Sequence, residues 1–374
     1  MDPQYWQALV DGDRRTALAV VKRLRAEGAS TARIVEEQLL VAQRRVGDLW
    51  AAGEWTVAQE NAATSVNEGL LLWLGSFTEA PDPDGPLVVV GCVEDERHAL
   101  AALVVAEVLM SEGVRVDYVG PAPDGDEMVR HVAAQRPRAV LLSASLTSSL
   151  GRATDVVRRL RAQEVPVVVG GQAFGDDERR ARAIGASAWA AGPRQVLEML
   201  LGLPEAMGDA PVPEPTEADA ESAWIEQHRE QITQYVVEGL RRTRDLGGVE
   251  VTAWREDLEG WVDHVVGCLS ATLATGDETI MLEARDWLVH VLSSRGLDSG
   301  LVSEVLDLLG DPVRSKPLAT AILATSVELL ASSEEPTGPL AMPGTGSGTG
   351  AGVGSDAQPA RLPSRTWPPR TPST

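Results

Sequence analysis

The chain has 374 residues, which is enough for two or three domains. Its formal net charge is −22, which argues against a large nucleic-acid surface and indicates partners that are proteins or small molecules. The two cysteines, Cys92 and Cys268, lie in apolar runs, so we expect reduced core thiols. No signal peptide is recognisable, and the apolar runs are too short for a membrane span, so we expect a soluble, cytoplasmic protein.

Residues 1–77 carry apolar side chains at helical spacing, in three successive stripes. Gly28 and Gly53 lie at the breaks between these stripes. Three or four short helices of this kind predict a small helical bundle. The segment 78–86, which is rich in proline and acidic residues, then predicts a linker.

Residues 85–203 alternate between short apolar runs and helical patterns, which predicts an α/β domain. Five strands with interleaved helices imply a parallel sheet, and the flavodoxin-like order 2-1-3-4-5 is the usual arrangement for this number. The predicted strands are 87–92, 114–119, 139–143, 165–169 and, more weakly, 187–190. The predicted helices are 99–112, 124–135, 150–162, 177–184 and 194–201.

The remainder of the chain predicts an acidic, Pro-rich linker at 204–220, an all-helical domain at 221–333 and a disordered tail at 334–374. The tryptophans of the helical domain are interpreted as core, and its three histidines as surface or satisfied core residues. No catalytic motif is recognisable there, so an output or dimerisation domain is the expectation. Its predicted helices are 223–246, 255–274, 277–294, 298–309 and 316–331.

His98 follows the first predicted strand, at the edge of the sheet where open α/β domains bind ligands. Its imidazole could present one ring nitrogen to a metal while Glu96, two residues earlier, accepts the proton on the other nitrogen. The alternative is a solvated loop histidine without a ligand. The spacing alone does not decide between these readings.

Hydroxyl and glycine residues follow the third and fourth predicted strands. Ser143 and Thr147 could line a slot and bind a ligand, or they could belong to the start of the next helix. Gly170 and Gly171 would allow a ligand to approach the backbone closely, although a tight turn explains them equally well.

Three residues of the N-terminal bundle are further candidates: Trp50, Glu60 and Asn61. The alternatives are that Trp50 is a core side chain and that Glu60 lies on a helix surface.

Three motifs, EDERHALA, SASLT and VVVGG, follow the first, third and fourth predicted strands in this order. This ordered set resembles the fingerprint of the cobalamin-binding domain family, which is Asp-x-His-x-x-Gly, then Ser-x-Leu, then Gly-Gly. The preceding helices resemble the bundle that covers the corrin in that family. The resemblance extends over roughly residues 5–202, slightly more than half of the chain.

The resemblance implies that His98 is the lower axial cobalt ligand, in place of the dimethylbenzimidazole base of the cofactor, and that Glu96 is its hydrogen-bond partner. It implies that the displaced nucleotide tail occupies a slot lined by Ser143, Thr147, Gly170 and Gly171. It also implies that the upper face of the corrin lies beneath Trp50, Glu60 and Asn61.

The sequence departs from the family pattern at four places. Glu96 replaces Asp, Ala101 replaces Gly near the tail, and Ser143 and Leu146 are one residue further apart than Ser-x-Leu requires. Asn61 stands where the light-sensing members carry a histidine, which puts a bis-histidine state after illumination in doubt.

The spacing of Trp50 and Glu60 is similar to the Trp-x9-Glu-His signature of light-sensing, adenosylcobalamin-dependent transcriptional repressors. We therefore expect a cobalamin-binding sensor or regulator that is not an enzyme, with adenosylcobalamin as the leading form and methylcobalamin as the other. It would signal through its C-terminal helices to a protein partner, and it could form a homo-oligomer. No basic helix-turn-helix segment precedes the bundle, so we expect no direct nucleic-acid binding. The alternatives are a corrinoid shuttle protein for methyl transfer and an interaction protein without a cofactor.

Overall fold

The computed structural model describes residues 1–121, 124–202, 213–243, 251–294, 297–298 and 300–333. The predicted disordered tail, 334–374, and most of the predicted acidic linker lie outside the described residues. Within the described part, none of the helices combines the length and apolarity needed to cross a membrane.

The N-terminal part is a helical bundle, called here the cap bundle. Its helices begin at side-chain caps: Asp2 accepts hydrogen bonds from the first backbone amides of α1, and Thr56 and Gln59 form a capping box at the start of α5. The hydroxyl of Tyr5 donates to Asn67 Oδ1 at 2.6 Å and ties the first helix to the last. The helices are α1 (Pro3–Val10), α2 (Arg14–Ala26), α3 (Thr31–Ile34), α4 (Leu40–Ala51) and α5 (Val57–Gly75), with a π-helical turn at Val35–Leu39 between α3 and α4.

The middle part contains a five-stranded parallel sheet in the order β2-β1-β3-β4-β5, which confirms the predicted flavodoxin-like arrangement. Side chains of β1 alternate between the two faces, because successive residues of a strand point in opposite directions: Val88 and Val90 join one core and Val89 the other. The strands are β1 (Leu87–Cys92), β2 (Arg115–Gly120), β3 (Ala139–Ser143), β4 (Val167–Gly170) and β5 (Ala188–Ala190).

The helix after β1 is buried on two sides. Ala102 and Ala106 face the sheet, whereas Leu103 and Val104 belong to the core of the cap bundle. An apolar surface on both sides is typical of a helix enclosed between two layers. The helices of the α/β domain are α6 (Leu100–Ser111), α7 (Gly125–Gln135), α8 (Leu150–Arg161), α9 (Arg179–Ala183) and α10 (Pro193–Gly202), with short 3₁₀ turns at Thr147–Ser149 and Gln172–Phe174.

The C-terminal part is all-helical, as predicted, and is called here the C-terminal bundle. Its first helix begins at Glu217, inside the predicted linker, because Thr216 and Asp219 cap it: Thr216 N donates to Asp219 Oδ2 at 2.7 Å, and Asp219 N donates to Thr216 Oγ1. The helices are α11 (Glu217–Thr243), α12 (Val251–Thr275), α13 (Thr279–Ser294), α14 (Gly300–Val313) and α15 (Pro317–Ser333).

The C-terminal bundle and the α/β domain share one hydrophobic core, which runs from Val140 in the sheet through Val157 in α8 to Trp261 in α12. Ion pairs flank this core: Arg158 donates to Asp219 at 2.9 Å, and Arg180 donates to Asp277 at 2.7 Å. The bundle is therefore an integral part of the fold rather than a domain joined only by its linker.

Helices α8 and α12 cross so closely that only glycine fits at Gly151. A Cβ atom there would lie 2.2 Å from Ser270 Oγ and 2.6 Å from Glu226 Oε1. We expect Gly151→Ala to destabilise the protein by about 1–3 kcal/mol in urea unfolding, because the added methyl forces the helices apart.

Gly310→Ala is the matched control, because Gly310 also lies in a helix but has nothing within 4 Å of an added Cβ atom. There we expect stabilisation of about 0.5–1 kcal/mol from the better helix propensity of alanine. Equal effects of the two substitutions would contradict the close contact between α8 and α12.

Candidate functional site

The candidate site lies at the carboxyl edge of the sheet, where three adjacent strands end side by side. Cys92 is in register with Ser143, and Ser143 with Gly170. The loops that follow these strands carry the three sequence motifs. Parallel strand order thus brings together residues that are as far apart in the chain as His98 and Gly171.

His98 and Glu96 form the predicted pair. The ring Nδ1 of His98 lies 2.5 Å from Glu96 Oε1, and the backbone amide of His98 donates to the same oxygen at 2.9 Å. The ring is 16% exposed, whereas the Glu96 side chain is 1% exposed. An imidazole whose Nδ1 is held by a carboxylate presents Nε2 as its metal-binding nitrogen.

The second oxygen of Glu96 is held by the loop after β3. The backbone amides of Ser145 and Leu146 donate to Oε2 at 2.7 and 3.0 Å. Burial raises the pKa of Glu96, but the hydrogen bonds from His98 and from the Leu146 amide, together with the charge of His98, outweigh it, so the pKa lies below its ordinary value. Glu96 is therefore an ionised carboxylate that links the loop after β1 to the loop after β3.

The two glycines of the third motif are required by neighbouring backbone. A Cβ on Gly170 would lie 2.6 Å from the carbonyl oxygen of Ala190, and one on Gly171 would lie 2.3 Å from that of Ala144. Gly171 also has a φ of +96°, which L-residues rarely adopt. Both glycines are thus explained by the close packing of the loops after β3, β4 and β5.

The candidates from the cap bundle occupy different environments. Glu60 is buried, and burial raises its pKa to about 7, partly offset by the nearby charge of His98. Trp50 is also buried, but it packs in the core shared with the C-terminal bundle. Asn61 is exposed on α5. Glu60 lies within electrostatic reach of His98.

Residues of α12 form a wall of the site that the sequence did not reveal. His264 Nδ1 lies 3.1 Å from Ser148 Oγ, and Cys268 Sγ lies 3.3 Å from Thr147 Oγ1. Burial lowers the pKa of His264 to about 4, so the ring is neutral. The i, i+4 spacing of His264 and Cys268 on one helix face is the signal that could have identified them.

The remaining predicted residues border this centre. Ser143 is buried at the end of β3, where its carbonyl accepts a hydrogen bond from Val93 at 3.0 Å. Ala101 is half-buried in the first turn of α6. The structure therefore brings Glu96, His98 and the loop after β3 together, with Glu60 on the cap side.

Two family models, each described as a B12 binding domain, match the chain at residues 3–74 and 86–197. By these matches, residues 3–74 and 86–197 form a B12-binding region. The first match coincides with the cap bundle, and the second with the α/β domain that carries His98.

One curated relative of the chain is the HTH-type transcriptional repressor CarH of Myxococcus xanthus, which is 34% identical over 131 residues. The matched region is 34% of this chain and 43% of that protein, so the chain spans less than half of the relative's length.

Among solved structures, a Methanosarcina barkeri monomethylamine corrinoid protein has 22% identity and a TM-score of 0.45, and the match covers 53% of this chain and 95% of that one. A cobalamin-binding protein from Desulfitobacterium hafniense DCB-2 has 19% identity and a TM-score of 0.31. This match covers 53% of the present chain and 96% of that protein.

The donor set of this B12-binding domain fits a corrinoid. Cobalt binds neutral imidazole, and the loop after β1 supplies the imidazole of His98, whose Nδ1 is fixed by the buried carboxylate of Glu96. The carboxyl edge of the sheet, where this imidazole lies, is the edge that binds ligands in open α/β folds.

We expect Glu96→Gln to destabilise the protein by about 1–3 kcal/mol in urea unfolding. A glutamine offers one oxygen and one NH₂ group, so either the two loop amides or His98 would face a donor instead of an acceptor. Glu94→Gln is the control, because burial raises the pKa of Glu94 and its charge is not held by a comparable set of donors. An equally large loss for Glu94→Gln would show that Glu96 has no special role.

Proposed function

We propose that the protein is a cytoplasmic cobalamin-dependent sensor that holds the corrinoid between the cap bundle and the α/β domain, with His98 as the lower cobalt ligand. The observation that carries the proposal is the His98–Glu96 pair, in which a buried carboxylate binds Nδ1. A solvated loop histidine would not require a carboxylate that is 1% exposed and held by two further amides.

When bound, the cofactor supplies a cobalt centre whose upper ligand can be exchanged. His98 would bind cobalt through Nε2, and Glu96 would keep the proton on Nδ1 and increase the basicity of the ring. Glu60 would face the site from the cap. The slot for the displaced nucleotide tail is proposed to involve Ser143, Thr147, Gly170 and Gly171, with Ala101 nearby and with Trp50 and Asn61 on the cap side.

The proposed signal is a change in the upper ligand, with adenosylcobalamin as the cofactor and light as the stimulus. The named relative is a transcriptional repressor, which supports a regulatory role. The net charge of −22 favours action through a protein partner rather than through direct DNA contact. The C-terminal bundle, which is anchored to the α/β domain, would carry the partner surface.

The structure weighs against a methyl-transfer shuttle, in which the cap must swing away from cobalt. Ser294 Oγ of the C-terminal bundle donates to the carbonyl of Ala51, at the end of α4, at 3.3 Å. Trp50 beside it is buried in the core shared with that bundle. Displacing the cap would break this contact and expose a tryptophan.

The test is the absorption spectrum of the full chain mixed in the dark with adenosylcobalamin, desalted, and measured again after green light. We expect retained colour, a light-dependent spectral change, and a loss of affinity of at least about tenfold in His98→Ala, because the cobalt loses its protein ligand.

His131→Ala is the matched control, because His131 is also partly exposed and paired with a carboxylate, Asp117, at 2.7 Å, but lies outside the site. Its spectrum should equal that of the wild type. Equal behaviour with methylcobalamin and no response to light would favour the shuttle or a dark cobalamin sensor. Absence of retained corrinoid would refute the cofactor assignment.

A further inference from the structure

The loop that carries His98 is connected to the C-terminal bundle by two separate sets of polar contacts. One set runs through the loop after β3 to α12, and the other runs through α8 to α11. Neither set includes the cap bundle.

The first set begins at Glu96, whose Oε2 accepts the amides of Ser145 and Leu146. The next two residues of the same loop contact α12. Thr147 Oγ1 lies 3.3 Å from Cys268 Sγ, and Ser148 Oγ lies 3.1 Å from His264 Nδ1.

A buried arginine of α11 reinforces this contact. Arg229 donates to the carbonyl of Ser148 at 2.9 Å and to both carboxylate oxygens of Asp263 at 2.8 Å. Because Asp263 precedes His264, the ion pair between Arg229 and Asp263 also fixes the part of α12 that touches the loop. Burial of an arginine is tolerated here because its donors are satisfied by these acceptors and by Glu226.

The second set begins at Asp95, which precedes Glu96 and has a φ of +61°. Asp95 forms an ion pair with Arg152 of α8, and Arg152 Nε donates to Glu226 of α11 at 2.9 Å. Asp95 and Glu96 are thus each held by a segment that touches the C-terminal bundle.

We propose that His264 of the C-terminal bundle is a positioning residue for His98, acting through Ser148 and the loop amides that hold Glu96. The proposal rests on the proposed function, in which His98 binds cobalt. Displacement of α12 would move the two amides away from Glu96, and a poorly held Glu96 would leave the His98 ring less well oriented. By linkage, ligation of His98 would in turn stabilise the docked position of α12.

The first variant is His264→Phe, which keeps an aromatic ring beside Trp287, 4.7 Å away between ring centroids, but removes the hydrogen bond to Ser148. The first readout is the hydrogen-exchange rate of the Ser145 and Leu146 amides in the cofactor-free full chain. We expect about fivefold faster exchange or more, because loss of the α12 contact loosens the loop.

The second readout is the absorption spectrum of hydroxocobalamin bound to the same variant. We expect the imidazole-ligated fraction, or the affinity for hydroxocobalamin, to fall by about tenfold, in the range typical of groups that orient a metal ligand. A residue with only a structural role would lower stability without changing the spectrum.

His264→Asn should restore both readouts, because its amide can replace Nδ1 as the partner of Ser148. Ser148→Ala removes the same hydrogen bond from the other side by a small change, and it carries the test if His264→Phe does not fold. Ser270→Ala is the matched control: Ser270 is buried in α12 but bonds to Ser222 of α11 rather than to the loop.

Faster amide exchange and a changed spectrum in His264→Phe and Ser148→Ala, but not in Ser270→Ala, would support the proposal. Rates and spectra equal to those of Ser270→Ala would overturn it. If the wild type retains no corrinoid, the proposed function fails, and the exchange rates in the cofactor-free protein still decide whether α12 holds the loop.

Discussion

The structure of the site depends on the burial of one carboxylate. An ionised Glu96 that is 1% exposed is stable only if its oxygens are hydrogen-bonded. Its donors are the ring and amide of His98 and the amides of Ser145 and Leu146. Because these donors lie on loops after two neighbouring strands, the sheet order must be correct before Glu96 can be buried. Formation of the sheet and orientation of the imidazole are therefore coupled.

The architecture of the α/β domain was predictable because the pattern that identifies each strand and helix lies within a short stretch of the sequence. Each strand is a short apolar run, each helix has its own periodicity, and the order of the strands follows from their number. The pairing of His98 with Glu96 was also predictable, since the two residues are two positions apart. The role of the Ser145 and Leu146 amides could not be predicted, because a backbone amide donor is present whatever the side chain and is not visible in the residue type.

The position of the C-terminal bundle could not be predicted from the sequence, for a different reason. His264 and Ser148 are separated by 116 residues, and Arg180 and Asp277 by 97. Contacts over such separations have no periodic signature in a single sequence. Trp50 illustrates the consequence: the core that buries it contains side chains of the C-terminal bundle as well as of the sheet. Tryptophan at a helix end does not reveal which neighbour will cover it.

The two helical parts are attached to the sheet in different ways. The cap bundle has its own core, which includes Leu103 and Val104 of α6, and it also contributes Trp50 to the core of the sheet. The buried apolar side chains described in the C-terminal bundle join those of the sheet and α8 in one core. Displacing it would open the main core and break the contacts that hold the loop after β3. A change at α12 would thus alter the loop that fixes Glu96 and His98. The C-terminal bundle is therefore the half that keeps the histidine in place.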